Sequence, residues 1–308
     1  MKVALLGGTG FVGSYLVEEL LERGHEPVLL VRPGSEGKVS RRLECTLISG
    51  NVGNQNAIFA TLEGCDAVIY SIGIIRQFER KGITYDELHF QGAKRAMDAA
   101  VQSGIKRFIL MSANGVKPDG TPYQKTKYQA EQFLKTTGLE WTIFRPSLIF
   151  GDPRGKMEFC TQLRDGLIRL PIPAPLFYRG LWPINAGMFK MSPVHVKDVA
   201  AIFVKALAIP ETIGQTYALG GPTTLNWKTL IQIVGDASGK HKWTIPTPVL
   251  IVKAAAVLLD RFDFFPITRD QIEMLVEGNT CDSTEVFQLF SIEPQLFTPA
   301  NLSYLKRA

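Results

Sequence analysis

Short, uniformly apolar segments alternate with longer segments of helical periodicity through the first half of the chain. The apolar segments are Val3–Leu6, Val28–Val31, Cys45–Ile48, Ala67–Tyr70, Arg107–Met111 and Trp141–Phe144. Helical spacing falls between them, at Phe11–Arg23, Gln55–Leu62, Thr84–Ser103 and Tyr123–Thr137. Strands that helices cover on both faces have this composition, so the pattern predicts a doubly wound α/β fold around a parallel sheet.

The alternation stops near residue 150. Residues 152–190 hold five prolines and large apolar side chains without a dominant period, which indicates either a hydrophobic substrate wall or lid, or a packed loop between domains. Farther on, Thr216–Leu219 predicts a strand of a second lobe. Val249–Leu259 predicts an apolar helix that either packs against the core of that lobe, which is the default interpretation, or lies on a membrane or partner surface. We predict a nucleotide-binding domain over 1–150, completed by about 191–215, and a smaller C-terminal α/β substrate lobe from 151–190 and 216–308.

The first apolar segment runs directly into Gly7-Gly-Thr-Gly-Phe-Val-Gly13 and then into a helical pattern. A strand, a glycine turn and a helix in this order form a binding turn for pyrophosphate, because the free N–H groups of the helix start face the anion. Each glycine position needs an absent side chain: for the tight turn, for the approach of the phosphates, or for close packing of helix on strand. The predicted cofactor contacts here are Gly7, Thr9, Gly10, Phe11, Val12 and Gly13.

Ligands of such sheets bind where the strands end, so the residues after each later strand are candidates too. Arg32 follows the second strand, where a guanidinium suits a 2′-phosphate; it favours NADP(H) over NAD(H), although a solvated loop arginine is the alternative. Asn51 and Val52 follow the third strand, and Asn51 either bonds the adenine edge or forms an Asx turn. Ser71 and Gly73 follow the fourth, where a glycine allows close approach to the ribose and phosphates or simply forms a turn.

Tyr123 and Lys127 are four residues apart in a predicted helix, beyond the fifth strand and Ser112. Residues at this spacing share a helix face, so the lysine lies beside the phenol. A neighbouring cation, together with that of an oxidised nicotinamide, favours the phenolate and is expected to move the tyrosine pKa toward neutrality. Tyr123 could then exchange a proton with a carbinol. Tyr128 offers a rival register without a lysine four residues on.

Composition narrows the function further. The chain has 308 residues, 45% hydrophobic and 20% charged, and a formal net charge of +5 with basic residues scattered along it, which predicts no nucleic-acid partner. Its four cysteines lie far apart and its histidines are not paired at ligand spacing, so we expect no metal site and a reducing, cytoplasmic location. No segment predicts a signal peptide or a transmembrane helix. His195 and Asp198 are interpreted as a structural histidine and a helix residue rather than a catalytic pair.

Several motifs together resemble the extended and atypical short-chain dehydrogenases/reductases, which include the NAD-dependent epimerases and dehydratases. Within them, the chain is most similar to the branch that contains the Rossmann-type accessory subunit of respiratory complex I. The likeness covers nearly the whole chain. It rests on the glycine turn, on Tyr123-x-x-x-Lys127 with Ala130-Glu131, on Arg145-Pro-Ser-Leu-Ile-Phe-Gly151, on Pro193-Val-His-Val-Lys-Asp-Val-Ala200, on Gly220-Gly-Pro222 and on Ile267-Thr-Arg-Asp-Gln271.

The resemblance implies roles for individual residues. Tyr123 and Lys127 are catalytic in the family, the lysine also holds the ribose hydroxyls, and a hydroxyl after the fifth strand polarises the substrate oxygen. Ser112 is the candidate for that hydroxyl, although the family's serine aligns either with it or with Ala113. Pro146 and Ser147 are placed against the nicotinamide.

The expected function is that of an NADP(H)-dependent oxidoreductase acting on a carbonyl or alcohol of an unidentified small molecule, which is hydrophobic if residues 152–190 form the substrate wall. The alternatives are an epimerase or dehydratase that retains its cofactor, and a non-catalytic, NADPH-holding subunit or assembly factor that associates peripherally with a membrane complex.

Overall fold

A computed structural model describes residues 1–251 and 269–306. The chain divides into two compact units. The first unit comprises Met1–Pro146, Val196–Leu219 and Glu285–Ile292, and the second comprises Ser147–His195, Gly220–Thr284 and Glu293–Ala308.

The first unit is built on a seven-stranded sheet in which every neighbouring pair is parallel. Its strands are β1 (Lys2–Leu6), β2 (Glu26–Val31), β3 (Thr46–Ser49), β4 (Ala67–Tyr70), β5 (Arg107–Met111), β6 (Glu140–Pro146) and β11 (Gln215–Leu219). The spatial order is β11-β6-β5-β4-β1-β2-β3. The chain order reverses between β1 and β4, which is the switch point of a doubly wound sheet. The predicted fold class is confirmed.

Helices flank this sheet because each carries an apolar face that the strands cover. They are α1 (Phe11–Glu22), α2 (Gln55–Leu62), α3 (Gly92–Gln102), α4 (Pro122–Lys135) and α6 (Val196–Lys205). The predicted helix Thr84–Ser103 is divided, since a π-helical turn over Asp86–Gln91 precedes α3. The apolar faces of α2, α3 and α4 join the strands in one buried cluster.

The strand that the sequence assigned to the second lobe lies in the first unit. Gln215–Leu219 pairs in parallel with β6, so that Gln215 faces Thr142 and Leu219 faces Pro146. A helix, α6, connects the chain back to the sheet edge, as parallel pairing requires. The segment Glu285–Ile292 belongs to the same unit. It contains all of helix α9 (Thr284–Leu289) except Thr284, which belongs to the second unit.

In the residues that the structure describes, the second unit has three two-stranded sheets and a separate apolar core. Its strands are β7 (Ile149–Phe150), β8 (Ala174–Tyr178), β9 (Lys190–Met191), β10 (Val194–His195), β12 (Leu225–Asn226) and β13 (Thr244–Pro248). Its helices are α5 (Phe159–Leu163), α7 (Trp227–Ala237) and α8 (Arg269–Glu277). Most of the predicted apolar helix Val249–Leu259 lies outside the described residues, which stop at Ile251.

Candidate active site

The glycine turn joins β1 to α1, and two of its glycines are fixed by their neighbours. Gly7 has a φ of +113°, and a Cβ there would lie 2.5 Å from Ser71 Oγ. A Cβ on Gly13 would lie 2.0 Å from the carbonyl oxygen of Gly7. No side chain fits at either position, because the start of α1 packs directly on the end of β1.

Gly10 is different, because only one neighbour lies close to it. A Cβ there would meet the Gly7 carbonyl oxygen at 3.3 Å and nothing else within 4 Å. Gly10 is also the N-cap of α1, and no side chain caps that helix. Phe11 and Val12 form its first turn, and Thr9 precedes it, all partly buried. A helix start that lacks a side-chain cap and has open space beside it suits a phosphate group, so the turn fits a dinucleotide.

Arg32 lies exposed directly after β2. A second arginine of the same loop, Arg41, is held by Glu44 through two hydrogen bonds, one of them 2.7 Å from Arg41 Nε to Glu44 Oε1. The Arg41 guanidinium is therefore occupied by a carboxylate of its own turn. Of the two arginines, Arg32 is better placed to bind a 2′-phosphate. Its role stays a prediction.

The two interpretations of Asn51 are separated by its hydrogen bond. The Gly53 N–H donates to Asn51 Oδ1 at 2.8 Å, which is the geometry of an Asx turn. The neighbouring Val52 is buried, and its carbonyl oxygen accepts from Arg95 Nε at 2.6 Å. Asn51 thus shapes the loop after β3, and any contact with adenine would use its remaining amide N–H groups.

The loop after β4 connects the glycine turn to the predicted catalytic pair. Ser71 Oγ donates to the carbonyl oxygen of Leu6 at 3.2 Å, which fixes the end of β4 beside the end of β1. Two residues later, a Cβ on Gly73 would lie 3.6 Å from Lys127 Nζ. The backbone at Gly73 therefore passes directly beside the lysine.

Tyr123 and Lys127 lie on the first turns of α4. This helix starts with a capping box between Thr121 and Gln124, and with Pro122 at its first position. Lys127 Nζ lies 5.8 Å from the centroid of the Tyr123 ring and donates a hydrogen bond of 3.1 Å to the Met111 carbonyl oxygen. Burial lowers the pKa of Lys127 to about 8, and Glu131 partly offsets that effect.

The pKa of Tyr123 lies above its ordinary value, because the phenol is desolvated. The predicted shift toward neutrality combined the neighbouring lysine with the charge of an oxidised nicotinamide, and the lysine alone does not produce it. The difference arises because Lys127 is itself desolvated and directs its ammonium to a backbone carbonyl rather than to the phenol oxygen. In this structure Tyr123 is a neutral phenol that holds its proton.

Ser112 follows β5 and is buried. Its N–H donates to the Phe144 carbonyl oxygen at 2.8 Å, but its hydroxyl has no hydrogen-bond partner among the residues that the structure describes. A buried hydroxyl usually finds a partner, so an unsatisfied one marks a position where a ligand oxygen fits. The rival alignment position, Ala113, has no polar side-chain atom to offer.

Pro146 and Ser147 belong to different units of the chain. Pro146 ends β6, and its carbonyl oxygen accepts from the Asn114 N–H at 2.9 Å. Ser147 begins the second unit and donates its hydroxyl to the Asn279 carbonyl oxygen at 2.8 Å. In that same unit, His195 is buried on β10 against the Phe150 ring, with ring centroids 5.0 Å apart.

Sequence reasoning missed His89, which is buried against Tyr123. The imidazole meets the Tyr123 ring edge to face, with centroids 5.1 Å apart, and stacks on Tyr85 at 5.3 Å. The Ile74 N–H donates to His89 Nε2 at 3.0 Å. The proton therefore sits on Nδ1, which lies 3.2 Å from Thr126 Oγ1.

His89 is held neutral. Burial lowers its pKa well below the ordinary value, and the nearby Lys127 charge adds to that shift. The residue lies on the π-helical turn before α3, a distortion that often accompanies functional sites. Its neutral imidazole links three elements: the loop after β4, the turn before α3, and α4. No sequence motif marks such a histidine, because its partners come from distant segments.

Two kinds of site are absent from the described part of the chain. No three histidine, cysteine or acidic side chains lie close enough together to hold a metal ion among residues 1–251 and 269–306. Within the same ranges, none of the helices combines the length and apolarity that a membrane crossing needs.

The fold and the glycine turn define a nucleotide-binding α/β protein. A family described as NAD(P)H-binding matches residues 7–167, which include the glycine turn and the Tyr123–Lys127 pair. The chain belongs to this NAD(P)H-binding family.

Curated relatives extend the likeness over nearly the full chain. The 40 kDa subunit of mitochondrial NADH-ubiquinone oxidoreductase from Neurospora crassa is 26% identical over 98% of this chain and 78% of its own length. The photosystem II assembly factor Ycf39 of Synechocystis is 24% identical over 99% of this chain and 90% of its own. A ceramide reductase from Caulobacter vibrioides is 29% identical over 68% of this chain and 61% of its own. The predicted resemblance is confirmed.

Solved structures agree with this fold. The UDP-glucose 4-epimerase of Thermus thermophilus in complex with NAD superposes with a TM-score of 0.73 over 100% of both chains, at 18% identity. A nucleoside-diphosphate-sugar epimerase from Staphylococcus aureus gives the same TM-score over 100% of both chains, at 19% identity. At these identities the likeness establishes the fold alone.

Proposed function

We propose that this protein is an NADP(H)-dependent oxidoreductase that acts on a carbonyl or alcohol group. The observation that carries the proposal is the meeting of three groups at the end of β5. Lys127 donates to the Met111 carbonyl next to Ser112, the Tyr123 ring lies beside Lys127, and the Ser112 hydroxyl has no partner among the described residues. A hydroxyl, a phenol and an ammonium in one place are what carbonyl reduction requires.

Each group has a defined task in this proposal. Ser112 donates a hydrogen bond to the substrate oxygen and polarises it. Tyr123, a phenol whose pKa is raised by desolvation, holds a proton at its Oη and delivers it to that oxygen. The nicotinamide, when bound, supplies the hydride. The protonated phenol is the form that donates a proton when a carbonyl is reduced.

Lys127 holds the ribose hydroxyls in this proposal. The close approach of the Gly73 backbone to Lys127 Nζ supports this role, because that loop lies along the path from the glycine turn. We propose NADP(H) as the preferred cofactor on the strength of Arg32. A change of preference to NAD(H) would leave the rest of the site unaltered.

The substrate is proposed to be a small, hydrophobic carbonyl compound. The relative named a ceramide reductase supports this class. We also propose a cytoplasmic location, since all four cysteines are free thiols, as a reducing compartment would keep them.

The test is NADPH consumption by the Tyr123→Phe variant against a panel of aldehydes and ketones of increasing chain length. Loss of the phenol proton should lower kcat by at least about a hundredfold and leave NADPH affinity unchanged. Tyr128→Phe is the matched control, because it removes the next tyrosine of the same helix. Equal turnover in wild type and Tyr123→Phe would refute the catalytic assignment.

A second candidate function is that of a cofactor-holding subunit or assembly factor of a membrane complex. Two observations favour it: the names of the Neurospora and Synechocystis relatives, and the raised pKa of Tyr123, which leaves that phenol a weak acid. This function predicts that NADPH copurifies with the protein and that no member of the panel is reduced. An epimerase or dehydratase would also retain its cofactor, but it would convert a sugar nucleotide without net NADPH consumption.

A further inference from the structure

Large apolar side chains protrude from one region of the second unit. Leu181, Trp182 and Ile184, in the loop after β8, are 92%, 72% and 84% exposed. Trp243, at the start of β13, is 76% exposed. Other exposed apolar residues of the same two segments are Leu170, Ile172, Met188, Ile245, Leu250 and Ile251. Single exposed apolar residues are ordinary, but a cluster of this size indicates a binding surface.

The two segments are neighbours in space. Strands β8 and β13 pair in parallel, and the Ala174 N–H donates to the Trp243 carbonyl oxygen at 2.7 Å. The loop then folds back onto β8, because the Gly187 N–H donates to the Phe177 carbonyl oxygen at 2.9 Å. The 3-10 turn over Pro183–Asn185 contacts both strands. We name the exposed side chains of 170–188 and 243–251 the β8/β13 surface.

The charged residues within the two segments that form the β8/β13 surface are all basic. Residues 166–197 and 237–251 contain no aspartate or glutamate. They contribute exposed cations at Arg179, Lys190 and Lys240. Arg169 also lies there, but it pairs with Asp165 at 3.3 Å. Acidic residues occur throughout the rest of the chain, so their absence from both paired segments creates a local positive field.

We propose that the β8/β13 surface binds the surface of a lipid bilayer that contains anionic phospholipids. Tryptophans and aliphatic side chains enter the interface between headgroups and acyl chains, while the cations remain at the level of the phosphates. The protruding side chains suit a deformable bilayer, which does not require a complementary shape. The positive field without any carboxylate selects anionic over neutral lipid. This binding uses the second unit only and does not depend on the proposed function.

The test is co-sedimentation of the full chain with vesicles of equal parts phosphatidylcholine and phosphatidylglycerol, and with vesicles of phosphatidylcholine alone. Wild type should bind the mixed vesicles and lose binding at high salt. The variant Trp182→Ser/Ile184→Ser should bind at least about tenfold more weakly, because two apolar anchors are lost. Leu43→Ser is the matched control, since Leu43 is 99% exposed in the first unit.

A second readout reports the depth of insertion. Brominated acyl chains should quench the fluorescence of wild type, and Trp182→Phe and Trp243→Phe should each reduce that quenching. NADPH affinity should be the same in all variants, which separates this result from failure of the cofactor site. Absence of vesicle binding at low salt, equal binding to neutral vesicles, or unchanged binding of the Trp182→Ser/Ile184→Ser variant would overturn the proposal. If the protein bound only to membranes that contain proteins, and the Trp182→Ser/Ile184→Ser variant lost that binding, the partner would be a protein and the lipid proposal would be overturned.

Discussion

The ammonium of Lys127 donates a hydrogen bond of 3.1 Å to the carbonyl oxygen of Met111. This bond ties helix α4 to the last residue of β5, immediately before Ser112. It holds a buried cation beside the Tyr123 ring and beside the backbone at Gly73. Lys127 is thus the residue through which the loop after β4, the end of β5 and α4 meet.

The lowered pKa of Lys127 predicts a pH-dependent affinity for the cofactor. Its value of about 8 means that the ammonium loses its charge as pH rises through that value, whereas an exposed lysine stays charged. We expect the Kd for NADPH to rise between about pH 8 and pH 10, by at most about tenfold per pH unit. Lys127→Met should bind NADPH weakly with a flat profile, and calorimetry across this range compares the two. A flat profile in wild type would contradict the prediction.

Two glycines of the turn are expected to respond differently to an added methyl group. Gly13→Ala places a Cβ 2.0 Å from a backbone oxygen, so it should destabilise the fold by about 3 kcal/mol or more. Gly10→Ala has room and a φ of −79°, so stability should change by less than about 1 kcal/mol.

The affinity for NADPH is the second property to measure in these glycine variants. Gly10→Ala should still lower NADPH affinity by at least about tenfold, because its methyl group occupies the approach to the backbone. Gly37→Ala, which has open space around it, is the control for both measurements. Urea denaturation and NADPH titration give the two readouts. Full NADPH affinity in Gly10→Ala would show that the dinucleotide does not lie on this turn.

Arg32 predicts the cofactor preference. Arg32→Ala should weaken NADPH by about tenfold or more and leave NADH nearly unchanged, because only the former carries a 2′-phosphate. Arg42→Ala, an exposed arginine of the same loop, is the control. The ratio of the two dissociation constants is the quantity to compare, and an unchanged ratio in Arg32→Ala would remove the reason for preferring NADP(H).

His89 predicts a contribution to stability that depends on pH. The pKa of His89 in the folded protein lies well below 6.5. Below about pH 6.5 this histidine is therefore protonated in the unfolded chain but stays neutral in the folded protein. The free energy of unfolding should therefore fall below about pH 6.5, by up to about 1.4 kcal/mol per pH unit. His89→Gln keeps an acceptor for the Ile74 N–H but cannot titrate, so the stability of the wild type relative to this variant should fall as the pH is lowered below about 6.5. Parallel stability profiles of the two proteins would contradict this.

His89→Ala tests the same residue at neutral pH. It removes the acceptor for the Ile74 N–H and the partner of Thr126, so it should cost about 2–4 kcal/mol. It should also raise KM more than it lowers kcat, because the loop beside Gly73 loses its anchor. Partial rescue of KM by His89→Gln would distinguish positioning of that loop from a general loss of stability.

Local patterns predicted the sheet well because its strands are short, buried on both faces and separated by amphipathic helices. Ala67–Tyr70 and Arg107–Met111 have the predicted bounds, and Gln55–Leu62 is the predicted helix. Local patterns do not predict which strands pair with each other. Thr216–Leu219 was recognised as a strand but assigned to the wrong unit, since its apolar composition does not say that β6 is its neighbour.

The candidate site shows the same division. The positions of the glycine turn, Tyr123, Lys127 and Ser112 follow from strand order and helical spacing. The desolvation of Tyr123 could not be predicted in this way, because it depends on the tertiary packing around α4. His89 could not be found from its own segment, since it is defined by bonds to Ile74 and Thr126 and by ring contacts with Tyr85 and Tyr123.

The account depends most on the dinucleotide site at the start of the chain. Isothermal titration calorimetry of the purified, nucleotide-free protein with NADPH and with NADH tests that site directly. We predict saturable binding of one NADPH per chain, tighter than NADH and weakened in Gly10→Ala. Absence of saturable binding of both nucleotides to the wild-type protein would contradict the site and the roles assigned to Tyr123, Lys127 and Ser112.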